Sequence, residues 1–343
     1  MEPAAFVSVV VAAGRSDLRE TLRSLKEQDY PDDQYEVIVV SELDRLELDP
    51  MLSIRLVKAP GKNPAHKRNL GAAAARGGLL GFIDDDAMAP RQWLSRAAAL
   101  FEAHANAAGV GGPNLSPAGA GWRQRLTDAL LTLPVVGSGN PSYGRKGATR
   151  NAQMGDIHLV NMFVRREVFE AVGGLNESVG YGGEDTEFIY ATERQLGRPF
   201  IYASDLFVYH HRRAFGPAYL KQRFRLRANT GALSVAFSGM YARKPSFWLL
   251  VVAPPALLGL LLTEPPFALF ALILYAAAVF GISLFNTPLL ALPVTLCAPL
   301  HHLTYAAGLY WGIASALLRP GRLRALRERR RVFAEKKGSE SRS

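Results

Sequence analysis

Leu79-Leu80-Gly81-Phe82-Ile83-Asp84-Asp85-Asp86-Ala87-Met88-Ala89-Pro90 is the stretch from which the fold can be read. Its short apolar run predicts a buried strand, and the strand ends in three consecutive carboxylates before a proline-containing turn. Three like charges at a strand end repel one another unless water solvates them all or a cation sits among them. Hard divalent cations such as Mg2+ take carboxylate oxygens and bridge to substrate phosphates. Open α/β sheets place their ligands beyond the carboxyl ends of strands. The triplet is therefore either a metal–diphosphate site or a solvated acidic turn, and the flanking sequence has to choose.

Upstream, Phe6 to Val11 is rich in β-branched residues and is closed by Ala12-Ala13-Gly14, which predicts a buried first strand and a turn. Asp17 is placed to cap the next helix, where Leu18, Leu22 and Leu25 recur at helical spacing. After the turn at Tyr30-Pro31-Asp32-Asp33, Glu36 to Val40 predicts a second strand and Ile54 to Val57 a third. Strand, helix and strand at this spacing imply right-handed βαβ units and a parallel sheet. Asn69 to Ala75 is an Ala-rich helix closed by Gly77-Gly78, and it feeds the strand that carries the triplet.

Downstream, Trp93 to Phe101 reads as a helix, and Pro113 to Asn151 as a long loop with a helical patch near Trp122 to Leu133. Loops of that length inside a domain are commonly lids or binding segments. Ile157 to Val164 predicts a strand, Arg166 to Val172 a short helix, and Glu184 to Gln195 a helix opened by Gly182-Gly183. Pro199 to Ala203 and Phe207 to Tyr209 read as strands, the second ending in His210-His211. Pro217 to Tyr241 reads as a helix in which Lys221, Arg223, Arg225 and Arg227 are set among apolar residues, as at a membrane interface.

Composition divides the chain. Pro245 to Leu318 carries one charge, Glu264, and no Lys or Arg. Ser246–Leu262, Phe267–Phe285 and Leu289–Leu318 are candidate spans, the first and third open to being broken, re-entrant or interfacial because of their prolines. From Arg319 to Lys337 nine Lys/Arg and two Glu give a net of +7 directly after the last apolar segment. The overall charge of +10 is thus a membrane flank, and with no zinc-finger, RNP-like or basic-zipper pattern no nucleic-acid partner is expected. If tail and N-terminal domain are both cytoplasmic, the number of crossings is even, two or four. The single Cys297 excludes an intrachain disulfide framework and a Cys-rich zinc site. The first residues show no basic and long apolar pair, so no secretory signal is expected. The expected divisions are 1–215 for a catalytic domain, 216–245 for a basic interfacial helix, 246–318 for apolar helices and 319–343 for a basic cytoplasmic tail.

Four polar groups punctuate the first 215 residues: Glu42, Lys67-Arg68-Asn69, the triplet, and Glu184-Asp185, with His210-His211 at a later strand end. Acid at a metal, acid at a helix start and imidazole at another strand end suit transfer from a nucleotide-activated donor to a hydroxyl. Taken together and in order, these segments resemble the family 2 glycosyltransferases of the GT-A fold. The opening strand with Gln28 and Pro31, the Lys67-Arg68-Asn69-Leu70-Gly71 helix with Ala75-Arg76-Gly77, and Asp84-Asp85-Asp86 as a DxD motif carry the likeness. Gly173-Gly174-Leu175-Asn176-Glu177 with Gly183-Glu184-Asp185-Thr186-Glu187 resembles the family's acceptor-side segment.

The resemblance implies a mixed, mostly parallel α/β sheet flanked by helices, followed by transmembrane helices. It implies Asp185 as catalytic base with Glu184 beside it, and a nucleotide-sugar site at Ala12, Glu42, Lys67, Arg68, Asn69, Asp84 and Asp85. A divalent metal, Mg2+ or Mn2+, falls to Asp86, Asp84 and His210, with His211 as the alternative to His210. Gln222, Arg223 and Arg225 resemble part of the Q-x-x-R-W segment of membrane polysaccharide synthases, although Leu226 stands where that pattern has Trp. Ala12-Ala13-Gly14-Arg15 and Ser41-Glu42 depart from the family's nucleotide-side pattern and leave the base open. The expected activity is inverting sugar transfer from a nucleotide-diphosphate sugar to a polyprenyl-linked or oligosaccharide acceptor, in a plasma membrane, for cell-envelope glycan synthesis. Arg145, Lys146 and Arg150 are expected to close over the diphosphate. An inactive membrane scaffold of the same shape is the alternative, and a nucleotidyl- or phosphotransferase a third reading.

Overall fold

A computed structural model describes residues 5–14, 17–43, 54–137, 141–144, 147–237, 240–241 and 244–328. Arg15, Arg145, Lys146 and the tail beyond 328 lie outside the described residues. Two compact units form, one from Met1–Pro117, Pro141–His211 and Glu328–Ser343, the other from Ala118–Asn140 and Arg212–Arg327. The helix in the long loop therefore belongs with the apolar C-terminal part.

The first unit is built on β1 (Val7–Ala13), β2 (Tyr35–Ser41), β3 (Ile54–Lys58), β4 (Leu79–Ile83), β5 (Ala87–Met88), β6 (Gly109–Gly111), β7 (Asn114–Leu115), β8 (Arg150–Asn151), β9 (Asn161–Arg165), β10 (Phe200–Tyr202) and β11 (Val208–His210). The main sheet runs β3-β2-β1-β4-β9-β6-β10-β8, and a small second sheet runs β5-β11-β7. The β3-β2-β1-β4 half is parallel, and β9 lies antiparallel between β4 and β6.

β1 shows why its sequence is apolar at nearly every position. Val7, Val9 and Val11 face a core that includes Leu22 and Leu25 of α1 (Arg19–Lys26). Val10 faces the opposite core, with Ala65 and Ala72 of α2 (Pro64–Ala74). Alternation by two then buries both faces. The first core also takes Trp93 and Phe101 of α3 (Trp93–Ala103). In the unit formed by Ala118–Asn140 and Arg212–Arg327, α4 (Trp122–Thr132) is followed by α5 (Pro134–Gly137). The opposite core of the first unit takes Phe169 of α6 (Arg166–Val172) and Phe188 of α7 (Glu184–Leu196).

α2 lies close on the sheet because Gly71 has no side chain: a Cβ there would strike Val10 and come within 3.1 Å of Val40 Cγ2. That approach brings Lys67 and Arg68 to the strand ends. Gln28 fixes the segment after the triplet, donating to Pro90 O at 2.9 Å and accepting from Leu94 N at 3.0 Å.

Two expectations are corrected here. Asp17 does not take the cap position of α1; the residue there is Leu18, and the Asp17 carboxylate instead accepts from Arg19 N and pairs with its guanidinium. The strand expected from Ile157 begins only at Asn161, because Ile157 and Leu159 are buried in a turn closed by Asn161 N to His158 O at 2.9 Å.

The second unit continues with α8 (Pro217–Ala236), α9 (Pro245–Thr263), α10 (Pro265–Asn286), α11 (Ala291–Leu318) and α12 (Pro320–Arg327). Among the described residues, three helical segments, Pro245–Thr263, Pro265–Asn286 and Pro288–Leu318, are long and apolar enough to cross a membrane. Pro254, Pro255 and Pro299 do not break their helices. Each removes a single backbone donor, a loss that apolar helices tolerate when neighbouring groups adjust.

Candidate active site

The carboxyl ends of β1, β2 and β4 converge, and each brings one acid or its partner. β4 ends at Ile83, so the three carboxylates begin where the sheet stops. Asp85 turns back to β1, where its Oδ2 accepts from Gly14 N at 2.7 Å. It holds the turn at the end of β1. Ala12, half-buried, lies in the same strand end.

Glu42 follows β2 and pairs with the ammonium of Lys67, which is 2% exposed and also donates to Ala13 O at 2.6 Å. The pair ties β1, β2 and α2 together and fixes Glu42 at the edge of the site. Asn69 is turned to a different task. Its amide donates to Leu175 O at 2.9 Å and Glu177 Oε1 at 2.8 Å, and accepts from Leu175 N at 2.8 Å. Asn63 and His66 add bonds to Glu177 at 2.9 Å and 3.0 Å. These contacts bind the Gly173–Glu177 turn to α2 and so position the start of α7. The sequence carries no signal that singles out His66.

Arg68 is the centre of the arrangement. Only 6% exposed, it donates through one nitrogen to Glu184 Oε1 at 2.9 Å and through the other to Asp84 Oδ1 at 2.6 Å. One guanidinium fork thus joins the acid at the end of β4 to the acid at the start of α7. Glu184 is buried, and its Oε2 meets no hydrogen-bond partner among the described residues. Burial and the neighbouring Asp185 push its carboxyl up to about 7, against the pull of Arg68.

Asp185 differs from its neighbour. It is half-buried, and its Oδ1 accepts from Thr186 N at 2.6 Å and Thr186 Oγ1 at 3.2 Å. Gly183, at φ 103°, supplies the left-handed turn that opens α7 and turns these acids toward the site.

β11 supplies the third group. Its register pairs His210 with Ala87, one residue beyond Asp86, and the His210 Nε2 lies 3.0 Å from Asp86 Oδ1. Successive strand residues point to opposite faces. His211 accordingly turns away, with Nε2 3.1 Å from Glu20 Oε2. The alternation decides between the two histidines: His210 is brought to Asp84 and Asp86, and His211 is not.

One ligand atom each from Asp84, Asp86 and His210 lies within 4.8 Å of the others. The set fits a divalent cation. It offers two hard oxygens and one imidazole, and the His210 Nδ1 is buried without a partner among the described residues, which leaves the ring's orientation to be set by what Nε2 meets. Arg150, expected over the diphosphate, pairs with Asp156 at 2.6 Å. Gln222, Arg223 and Arg225 lie on α8 of the other unit.

Comparison with known proteins agrees with this geometry. The profile of the family "Glycosyl transferase family 2" matches residues 8–173. The chain is 26% identical over 241 residues to Glycosyltransferase AglE of Haloferax volcanii, covering 64% of this chain and 71% of that one. It is 31% identical over 191 residues to Succinoglycan biosynthesis protein ExoM of Rhizobium meliloti, covering 51% of this chain and 56% of that protein. Among solved structures, the fold is similar to the mannosyltransferase PcManGT of Pyrobaculum calidifontis, a complex with GDP-Man and Mn2+. The TM-score is 0.53 at 22% identity, over 92% of this chain and 88% of the other.

Proposed function

We propose that this chain, a family 2 glycosyltransferase whose GT-A domain is followed by apolar helices, transfers a sugar from a nucleoside-diphosphate donor to a hydroxyl of a lipid-linked or oligosaccharide acceptor, with inversion. The observation that carries the reading is the Arg68 bridge, which joins the donor-side Asp84 to the Glu184-Asp185 segment. Asp185 accepts the proton of the attacking hydroxyl as its oxygen bonds to the anomeric carbon and the bond from that carbon to the diphosphate breaks. Its Oδ1 is fixed by Thr186, which leaves Oδ2 for the proton. Glu184 and Arg68 position Asp185 and Asp84. Asp84, Asp86 and His210 would hold a divalent cation, which when bound would supply charge neutralisation at the leaving diphosphate. The likeness to AglE and ExoM supports a role in glycan assembly at a cell envelope.

The test is release of nucleoside diphosphate by the full-length protein from a panel of sugar nucleotides, with Mn2+ and membrane lipid extract. One donor is expected to turn over, and EDTA to stop it. Asp86→Ala is expected to lower turnover roughly a hundredfold or more, from the several kcal/mol of charge stabilisation lost, and to weaken Mn2+ binding followed by electron paramagnetic resonance. Full activity in that variant contradicts the metal assignment, and no release from any donor supports the inactive-scaffold alternative.

The reading places the chain in a bacterial or archaeal plasma membrane with its catalytic unit cytoplasmic, crossing twice by α9 and α10. α8 carries Lys221, Arg223, Arg225 and Arg227 within two turns, and each costs about 2.5–3.5 kcal/mol at the centre of a bilayer. α11 packs along that helix: a Cβ on Gly308 or Gly312 would strike the α8 backbone, and one on Gly231 would strike that of α11. Arg322 and Arg327 then bond to Asn229 and Ala236 O at 3.2 Å. From His301 onward α11 is held at the depth of a basic helix, and the ten residues before it are too few for the ~20 a crossing needs. Burial supports this, since none of the most apolar stretch of α9 and 17% of that of α10 is covered, against 33% for the segment containing α11. Reporters fused after Phe285 and after Arg331 should lie on the same side as the catalytic unit. A tail on the opposite side would establish three crossings.

A further inference from the structure

Residues 118–140 and 212–327 hold fourteen Lys/Arg and two acids, a net of +12 in a chain that nets +10. Of the two acids, Asp128 is taken by Arg212, and Glu264 joins α9 to α10. The unit is therefore strongly cationic as well as apolar, and one place combines both properties.

An apolar groove of about 450 Å3 lies between α4 and the start of α11, lined by Trp122, Leu126, Phe215, Leu292, Leu296 and Cys297. From Phe215 a ladder of rings leads out of it along α8 and α11. Phe215 and Tyr219 are 5.5 Å apart between centroids, Tyr219 and His301 5.9 Å, and His301 and Tyr305 4.1 Å. Two guanidiniums lie over the ladder, Arg223 at 5.2 Å from the Tyr219 ring and Arg227 at 4.2 Å from the Tyr305 ring. Tyr219, Arg223 and Arg227 recur every four residues and so share one face of α8.

His301 is wholly buried. The Tyr219 hydroxyl meets its Nδ1 at 2.8 Å, and its Nε2 has no hydrogen-bond partner among the described residues. Two guanidiniums over a ring ladder that starts from the apolar groove suit an anionic head on an apolar chain.

We infer that groove and ladder form one binding site for a polyprenyl phosphate, the anchor of the acceptor in the function proposed above, on which this inference rests. The chain lies in the groove against Leu292 and Leu296. The phosphate or diphosphate head meets Arg223 and Arg227, whose planar forks match phosphate oxygens. The ligand carries one apolar chain, and the test separates it from two-chain phospholipids.

The test uses the full-length protein in phosphatidylcholine nanodiscs and radiolabelled decaprenyl phosphate. Decaprenol and inorganic pyrophosphate are expected to compete at least tenfold more weakly than unlabelled decaprenyl phosphate, because each lacks one half of the ligand. The double variant Arg223→Gln/Arg227→Gln is expected to lose at least tenfold in affinity. Leu296→Trp, at an exposed groove position, is expected to weaken decaprenyl phosphate but not the short geranyl phosphate, which guards against misreading a misfolded double variant. Equal competition by phosphatidylglycerol, or unchanged binding in the double variant, would overturn the site. Donor turnover on a soluble glycan acceptor without arginine-dependent binding removes this site and leaves the transferase reading standing. Arginine-dependent binding with no donor turnover does the reverse.

Discussion

Asp185→Asn is expected to lower kcat for sugar transfer by roughly 10²–10⁴-fold, the range for loss of a positioned general base, with little change in donor KM or in thermal melting. Asparagine keeps the shape of the side chain and the acceptor oxygen that Thr186 N and Oγ1 bind. What it removes is the ability to take the hydroxyl proton. An interaction lost only in the transition state appears in kcat rather than in KM. Glu184→Gln is the matched comparison, since the two acids are adjacent in sequence and unlike in surroundings. Glu184 is buried and bonded to Arg68, while Asp185 is half-buried with Oδ2 left over. Glutamine at 184 should therefore act more on stability and donor geometry than on the proton. Full activity in Asp185→Asn together with its loss in Glu184→Gln would exchange the two roles.

The strands that carry this site are legible in the sequence, and the illegible parts share a cause. β1, β2 and β4 declare themselves by apolar runs that end in turn residues or acids, and their parallel pairing follows from spacing. The order of the motifs then fixes which ends meet. Partners were harder, because a side chain's partner depends on register and on how closely helices approach. Asp85 reads as part of the nucleotide-sugar site, and the structure shows that it also closes the β1 turn through Gly14. Asn69 reads as a donor contact, yet it clamps the Gly173–Glu177 turn. His210 and His211 cannot be told apart by type; strand alternation separates them once β11 is paired with β5. The apolar C-terminal helices show the same limit. Length and composition mark three spans, and the close packing of α11 on the basic helix α8 shows only in the structure.

Arg68→Met should be the most destabilising single change in the catalytic unit, by about 3–5 kcal/mol, because it breaks a buried ion pair from one side. Methionine fills a similar volume, so the loss is electrostatic rather than a cavity. It leaves Glu184 buried beside Asp185 and facing Asp84 with its counter-charge gone. The deficit should depend on pH, and its sign follows from linkage. The Glu184 carboxyl stands near 7 in the folded chain against an ordinary 4.5. A raised carboxyl holds its proton in the folded state where the unfolded state releases it, so its contribution is fully present below about 4.5 and is lost as pH rises through about 7. Removing Arg68 moves the folded value higher still. The penalty in Arg68→Met should then be largest near pH 8 and shrink toward pH 5, as Glu184 takes up a proton and no longer needs the guanidinium. Denaturant melts at the two pH values measure it. The double variant Arg68→Met/Glu184→Gln should recover much of the loss at pH 8, since the neutral amide does not need the counter-charge. If the single variant is equally unstable at both pH values and the double variant recovers nothing, Arg68 is stabilising the fold through packing. The bridge between donor-side and acceptor-side acids would then have no electrostatic role in setting Asp185.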